Sequence, residues 1–316
     1  MPSSTAYSAA VEVLDVQWVN NLRYYLNIRA TNGAGITGVT HTDGIVADLR
    51  PPRRGVVLDG HGEVDARFQR STSSVAVQWR HFWDLESNIT TYFVGLGHSL
   101  TSGTNIAKYR AVPGTLNRTT IVASIPNGRK VYAYVYAVDQ AGHASQPIIS
   151  NGVVVDATDP LPGAVFDGLV PSVAGDLDYQ FTNDTIRAAW TRFRDLQSGI
   201  ADIRVAVGTA GLTDNVVAWT HLPPATTAVV LPGLALNDGA TYTVSVLAIN
   251  GAGGSTQVSS DGVTIDASPP TCTFRRVPIP SGASTATFND TLPLEWECDD
   301  PESGVALGEW SVDTIP

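Results

Sequence analysis

The sequence predicts an all-β protein made of tandem seven-stranded antiparallel β-sandwiches. Three observations lead to this fold class: apolar residues alternate with polar ones, a block of roughly 110 residues recurs along the chain, and turn-forming residues separate the apolar runs. The 316 residues are 43% hydrophobic, which is enough for a separate core in each domain. The 29 glycines and 19 prolines supply the turns that many short strands require.

Alternation with a period of two marks the strands. An early strand places Val75, Val77 and Trp79 on one face, and this pattern recurs along the chain. The other alternating sets are Ile186/Ala188/Trp190, Leu292/Leu294/Trp296, Tyr92/Val94/Leu96, Ile203/Val205/Val207, Tyr24/Leu26/Ile28/Ala30 and Tyr242/Val244/Val246/Ala248. Helical spacing is not sustained over a dozen residues anywhere. About seven strands per block is typical of a two-sheet sandwich.

Three sequence blocks define the repeat. The first begins at residues 24, 131 and 242 and ends in Ala-Gly, the second is a short Gly-containing strand that ends in Asp before prolines, and the third is Trp followed by Asp and Ser-Gly-Ile. The predicted domains are repeat 1 (1–52, a C-terminal half), repeat 2 (53–160, complete), repeat 3 (161–270, complete) and repeat 4 (271–316, an N-terminal half). We expect the chain to be a slice of a longer array.

Short proline-rich connections join the predicted repeats. Examples are Asp48–Pro52 and Asp156–Pro162. Because proline fixes φ and stiffens such joints, successive repeats are expected to form a semi-rigid rod.

The late-strand block carries a family resemblance. Together with Trp190 on the second strand, the pattern Tyr242-x-Val-x-Val-x-Ala248-x-Asn250 resembles a fibronectin type III or closely related immunoglobulin-like repeat. The resemblance covers essentially the whole chain and implies the fold, whereas such modules occur in adhesion proteins, receptors, matrix proteins and carbohydrate-active enzymes alike. Repeat 2 has Val131 where the late-strand tyrosine should stand, so the resemblance predicts that its tyrosine-corner hydrogen bond is missing.

Charge and motif content exclude several function classes. The net charge of −11 has the wrong sign for binding a nucleic-acid backbone, and no run of 18 apolar residues could span a bilayer. The first four residues lack the basic and apolar regions of a secretory signal, which leaves either a cytosolic chain or a missing true start. No nucleophile elbow or phosphate-binding glycine loop occurs, so we expect neither catalysis nor a cofactor. The scattered histidines are expected at the surface: His41, His61, His81, His98, His143 and His221.

An acidic loop follows the Trp in each repeat. The most acidic copy contains Asp299, Asp300 and Glu302, which are weak calcium candidates because calcium takes six to eight oxygen ligands. A capped turn with glycine in the left-handed region is the favoured interpretation of this loop. Asp156 and Asp159 at a junction leave a cadherin-like calcium array as an alternative.

Two covalent modifications are expected. Cys272 and Cys298 begin one strand and end the next, so antiparallel pairing would join them in a disulfide rather than leave free thiols. A disulfide implies an oxidising compartment. Glycosylation is expected at two or more of the four Asn-x-Ser/Thr sequons, which begin at Asn88, Asn117, Asn183 and Asn289.

Repeat 2 carries an outward-facing aromatic stripe. Since the alternate residues of its late strand face the core, Tyr132, Tyr134 and Tyr136 are expected to face outward, with Phe93 beside them on the neighbouring strand. This stripe is a candidate contact surface for another protein chain, a further copy or a glycan. The alternative is that the aromatic side chains serve only strand propensity and cross-strand pairing.

These observations together predict a non-catalytic structural or adhesive segment of a larger extracellular repeat glycoprotein. Its setting would be the cell surface, the matrix or a filamentous appendage such as a mastigoneme. The alternatives are an accessory array in a secreted multidomain enzyme and a calcium-rigidified adhesion array.

Overall fold

The computed structural model describes residues 7–10, 12, 15–209, 211–276 and 295–311. The chain divides into two compact units, residues 1–157 and 158–316. Repeat 2 lies in unit 1 and repeat 3 in unit 2, while the four repeat boundaries stay predictions. Strands dominate the described residues, in which the helical element is the single 3₁₀ turn Val173–Gly175.

The strands of unit 1 follow the predicted order. They are β1 (Arg23–Tyr24), β2 (Asn27–Thr31), β3 (Thr37–His41), β4 (Ile45–Val46), β5 (Val56–Asp59), β6 (Phe68–Gln69), β7 (Ser74–Arg80), β8 (Ile89–Gly97), β9 (Ala107–Pro113), β10 (Arg118–Val122), β11 (Lys130–Asp139), β12 (Ile148–Ile149) and β13 (Val153–Val155). In repeat 2, β10, β7 and β5 form one sheet, and β13, β11, β8 and β9 form the other, with β12 beside β11.

Unit 2 repeats this arrangement. Its strands are β14 (Val165–Asp167), β15 (Tyr179–Gln180), β16 (Thr185–Trp190), β17 (Ile200–Thr209), β18 (Val217–Leu222), β19 (Ala228–Pro232), β20 (Thr241–Asn250), β21 (Ser255–Ser259), β22 (Val263–Ile265), β23 (Thr271–Arg276) and β24 (Glu295–Asp299). In repeat 3, β14, β16 and β19 form one sheet, and β22, β20, β17 and β18 form the other, with β21 beside β20.

Each complete repeat is therefore a two-sheet sandwich of the fibronectin type III and immunoglobulin-like class, which confirms the predicted fold. One feature differs from the purely antiparallel prediction. The two-residue strands β6 and β15 pair in parallel with β13 and β22, the last strands of their sandwiches. In both cases a glutamine side chain, Gln69 or Gln180, donates to two backbone carbonyls of the loop that leads into the next strand.

The alternating residues build two separate cores. Trp79 is 2% exposed in one core and Trp190 is 1% exposed in the other, as the period-two pattern predicts. Around them pack the inward faces of both sheets, including Val94 in repeat 2 and Val205 in repeat 3. Burial of these apolar faces is the main stabilising contribution to each sandwich.

The tyrosine corner is present where the sequence supplies the tyrosine. In repeat 3 the Asn237 backbone N–H donates to the Tyr242 hydroxyl at 2.8 Å, and in repeat 1 the Val19 N–H donates to the Tyr24 hydroxyl at 2.8 Å. Repeat 2 has Val131 at this position and so lacks a hydroxyl acceptor, as predicted.

The two predicted half repeats expose residues that are buried in the complete ones. Leu26 on the late strand of repeat 1 is 54% exposed, and Trp296 in repeat 4 is 46% exposed. The described strands of these parts form only two-stranded pairs: β1 with β4, β2 with β3, and β23 with β24. Leu292 and Leu294, predicted to alternate with Trp296, lie outside the described residues.

Candidate functional site

Three aromatic side chains cluster on the outer face of the larger sheet of repeat 2. Phe93 on β8 and Tyr136 on β11 are directly paired across the strands, and their rings stack with centroids 4.9 Å apart at 9°. Tyr109 on β9 meets the Tyr136 ring edge-on at 4.9 Å. All three side chains are half-buried. We name Phe93, Tyr109 and Tyr136 the aromatic patch.

Two members of the predicted stripe lie in different surroundings. Tyr134 is only 5% exposed, and its hydroxyl donates to the Ser99 carbonyl in the loop after β8. This corrects the expectation that Tyr134 is available at the surface, because period-two alternation gives the face of the sheet but does not show what covers it. Tyr132 is half-buried, with Lys130 Nζ 5.3 Å from its ring centroid. Tyr109 was missed, since its strand was not assigned from the sequence.

Repeat 3 has an ionic cluster where repeat 2 has Phe93. There Arg204 donates to Asp202 at 2.8 Å, and His221 lies 3.1 Å from the same carboxylate. Partial burial raises the pKa of Asp202, but the hydrogen bonds from Arg204 and His221 outweigh that effect and bring the pKa below its ordinary value. The aromatic patch is thus particular to repeat 2.

The acidic loops form capped turns. The Asp195 carboxylate accepts backbone N–H groups from Gln197, Ser198 and Gly199 at 3.1, 2.8 and 3.1 Å. Burial raises the pKa of Asp195, but these hydrogen bonds, with one from Asn250, lower it overall. In repeat 4, Asp300 accepts the N–H groups of Ser303 and Gly304 in the same way.

Of the predicted calcium candidates, two join a third carboxylate. Carboxylate oxygens of Asp266, Asp300 and Glu302 lie within 4.8 Å of one another, whereas Asp299 is exposed at the end of β24 and outside this group. Ser303 Oγ also donates to Asp266. Calcium binding at this place stays a prediction.

A second cluster lies in unit 1. Ser87 Oγ donates to Asp48 Oδ2 at 2.6 Å, and Asp48 also lies beside Asp139 and His143. A carboxylate oxygen of Asp48 lies within 4.8 Å of one from each of Asp84 and Glu86. The sequence did not predict that His143 would meet carboxylates.

Cys272 and Cys298 lie directly opposite each other on the antiparallel strands β23 and β24. Their sulfur atoms are joined at 2.03 Å. The disulfide therefore links the two described strands of repeat 4.

One buried carboxyl group recurs at the same place in both complete repeats. Asp59 accepts the Gly152 N–H at 3.0 Å, and Asp167 accepts the Gly262 N–H at 3.0 Å. Burial raises the pKa of Asp59 to about 6 and that of Asp167 to about 7, although hydrogen bonds partly oppose the rise. Their position inside each sandwich gives them a bearing on stability rather than on ligand contact.

The sequons are accessible wherever they are described. Asn88, Asn117 and Asn183 are exposed, and Asn289 lies outside the described residues. When the full chain is secreted from cultured animal cells, we expect glycosidase treatment to remove the mass of at least two glycans. Reduction should then add the mass of two hydrogen atoms for the disulfide. An intact mass that glycosidase leaves unchanged would contradict the glycosylation prediction.

No protein-family model matches this chain, and no curated protein matches it. Among solved structures, the chicken CNTN1 FN1–FN3 domains are similar at 14% identity and a TM-score of 0.38, over 75% of this chain and 77% of that one. The fold class stated above rests on the strand order and not on this similarity. Among the described residues there is no helix with the length and hydrophobicity needed to span a bilayer.

Proposed function

We propose that this protein is a non-catalytic structural and adhesive segment of a larger extracellular repeat glycoprotein. Its sandwiches space the chain, and the aromatic patch of repeat 2 associates with further copies of the same chain. Cell surface, extracellular matrix and filamentous appendage are the settings that such a segment fits.

The aromatic patch is the observation that carries the proposal. Phe93 and Tyr136 spend a stacked pair of rings on the outer face of a sheet whose inner face already forms the core. Aromatic rings are enriched in protein interfaces, because they bury a large apolar area with few side-chain torsions to immobilise. The equivalent residues of repeat 3 are Arg204 and Leu247, so the fold itself does not require rings there.

Two further observations support an extracellular segment. A disulfide within a single repeat persists only where thiols are not kept reduced. Trp296 of repeat 4 is exposed, while its equivalents Trp79 and Trp190 are buried, which fits a repeat that is completed by further chain in a longer array.

Bead aggregation tests the adhesive role. Beads coated with the full wild-type chain are expected to aggregate, and beads that carry Phe93→Arg with Tyr136→Ser are expected to stay dispersed. Both side chains are half-buried surface residues, so the double variant should keep its fold, which a circular-dichroism melt can verify.

The matched control is Leu247→Ser, which changes the position of repeat 3 equivalent to Tyr136. It should aggregate like the wild type. If wild-type beads stay dispersed, or if the double variant aggregates equally, association of copies through the aromatic patch is excluded.

A further inference from the structure

Asp139 at the end of β11 is a buried carboxylate with one oxygen left without a hydrogen bond. The residue is 2% exposed, and its Oδ1 accepts the His143 backbone N–H at 2.9 Å. Its Oδ2 receives no hydrogen bond. The nearest described cation-forming group is His143 Nδ1, 3.5 Å away, which is itself buried without a hydrogen-bond partner. A buried polar atom in this condition is costly unless something neutralises it.

Asp48 completes the group from repeat 1. Its side chain is almost fully buried, and its Oδ1 lies 3.8 Å from His143 Nδ1. One atom of each of Asp48, Asp139 and His143 lies within 4.8 Å of the others. In the described part of the chain, no arginine or lysine forms an ion pair with Asp48 or Asp139.

Repeat 3 shows how the same position is satisfied without a cation. Asn250 stands where repeat 2 has Asp139, and its Oδ1 accepts the Gly254 N–H, just as Asp139 Oδ1 accepts that of His143. The other atom, Nδ2, donates to Asp195 Oδ2 at 3.0 Å and to the Thr158 carbonyl at 2.9 Å. Asp139 places an oxygen where Asn250 places a donor. Repeat 2 therefore lacks two donated hydrogen bonds, and it has gained a histidine in the place of glycine.

We propose that Asp48 Oδ1, Asp139 Oδ2 and His143 Nδ1 bind one divalent transition-metal ion of the zinc type, with solvent as the fourth ligand. An imidazole nitrogen with carboxylate oxygens is a ligand set that Zn²⁺ accepts. With ligand bonds of 2.0–2.1 Å, a tetrahedral site has ligand-to-ligand distances of about 3.3–3.4 Å. The observed separations of 3.5 and 3.8 Å need only a small adjustment to reach them.

Two other cations fit the atoms less well. Calcium prefers six to eight oxygen ligands, and here a nitrogen lies between the two buried carboxylates. A protonated imidazole would donate to a carboxylate at about 2.7–2.9 Å, shorter than either separation. The geometry places His143 as a ligand beside Asp48 and Asp139 rather than as a hydrogen-bond donor to them.

Titration calorimetry with Zn²⁺ on the full chain tests the proposal. The wild type is expected to bind one Zn²⁺ with an affinity that His143→Gln and Asp139→Asn each reduce by at least about 100-fold, since loss of a direct ligand should exceed the 10–100-fold effect typical of outer-shell residues. Asp139→Asn should stay folded, because repeat 3 carries Asn at this position. Its melting temperature without metal reports this directly.

The matched control is His221→Gln. His221 also lies beside an aspartate, Asp202, but it is exposed and that carboxylate is already paired with Arg204. This variant should retain the Zn²⁺ affinity of the wild type. The assignment is overturned if the wild type binds no Zn²⁺ more tightly than the two ligand variants, or if Ca²⁺ binds to this cluster and His143→Gln leaves its affinity unchanged.

Discussion

Trp190→Ala is expected to lower the melting transition of unit 2 by more than about 10 °C while the transition of unit 1 stays in place. Removal of a buried tryptophan costs about 3–5 kcal/mol, and each 1 kcal/mol shifts the melting temperature of a domain this size by about 4–8 °C. Trp190 is the largest side chain of its core, and its indole N–H donates to the Thr226 carbonyl at 3.0 Å. The variant therefore loses both packing and a buried hydrogen bond.

Differential scanning calorimetry on the full chain measures this effect. Trp310→Ala is the control, because Trp310 lies in the same unit but is largely exposed, and surface changes of this kind stay within about 0.5 kcal/mol. If Trp190→Ala shifts every transition together, the two sandwiches do not unfold around independent cores. If it shifts none, Trp190 does not anchor the core of repeat 3.

Raising the pH from about 4 to about 8 is expected to destabilise the fold. The carboxyl of Asp167 has its pKa raised to about 7, and that of Asp59 to about 6, from the ordinary value of 3.8, chiefly because burial disfavours the charged form. The folded chain keeps these protons through a range in which the unfolded chain has lost them. Stability is therefore highest below pH 4 for these groups and falls as the pH passes through 6 and 7.

Asp167→Asn isolates one of these two groups. The variant should lose its share of the pH dependence and be more stable than the wild type at pH 8, by on the order of 2–3 kcal/mol after allowance for solvent screening. Its new amide donor has acceptors close by, since carboxylate oxygens of Asp176 and Asp261 lie within 4.8 Å of one from Asp167. Urea unfolding at pH 4, 6 and 8 gives the comparison.

Asp214→Asn is the control for the loss of one negative charge, because Asp214 is an exposed residue of the same unit. It should unfold like the wild type at every pH. An Asp167→Asn profile that runs parallel to the wild-type profile from pH 4 to 8 would mean that Asp167 does not titrate within this range.

The features that depend on local spacing could be predicted from the sequence. Alternation identified the inward faces, so Trp79 and Trp190 were placed in the cores, and the single tyrosine position gave the hydrogen bond of Tyr242 and its absence at Val131. Both follow from which face of a strand a residue occupies, which is fixed by its position along the strand.

The features that depend on which loop covers which strand could not be predicted. Tyr134 occupies the outer face as expected, yet the loop that contains Ser99 folds over it. His143 follows Asp139 by four residues but comes from a different repeat than Asp48, so no spacing rule could bring them together. The parallel pairing of β6 with β13 likewise depends on the path of a loop, and its two residues give no alternation pattern to read.

Hydroxyl-radical footprinting of the full chain, free and in bead-associated form, tests the adhesive account most directly. Association through the aromatic patch predicts that oxidation of Phe93, Tyr109 and Tyr136 slows on association, while that of Trp219, at the position of repeat 3 equivalent to Tyr109, stays unchanged. Aggregated beads on which these three rings oxidise as fast as in the free chain would contradict the account.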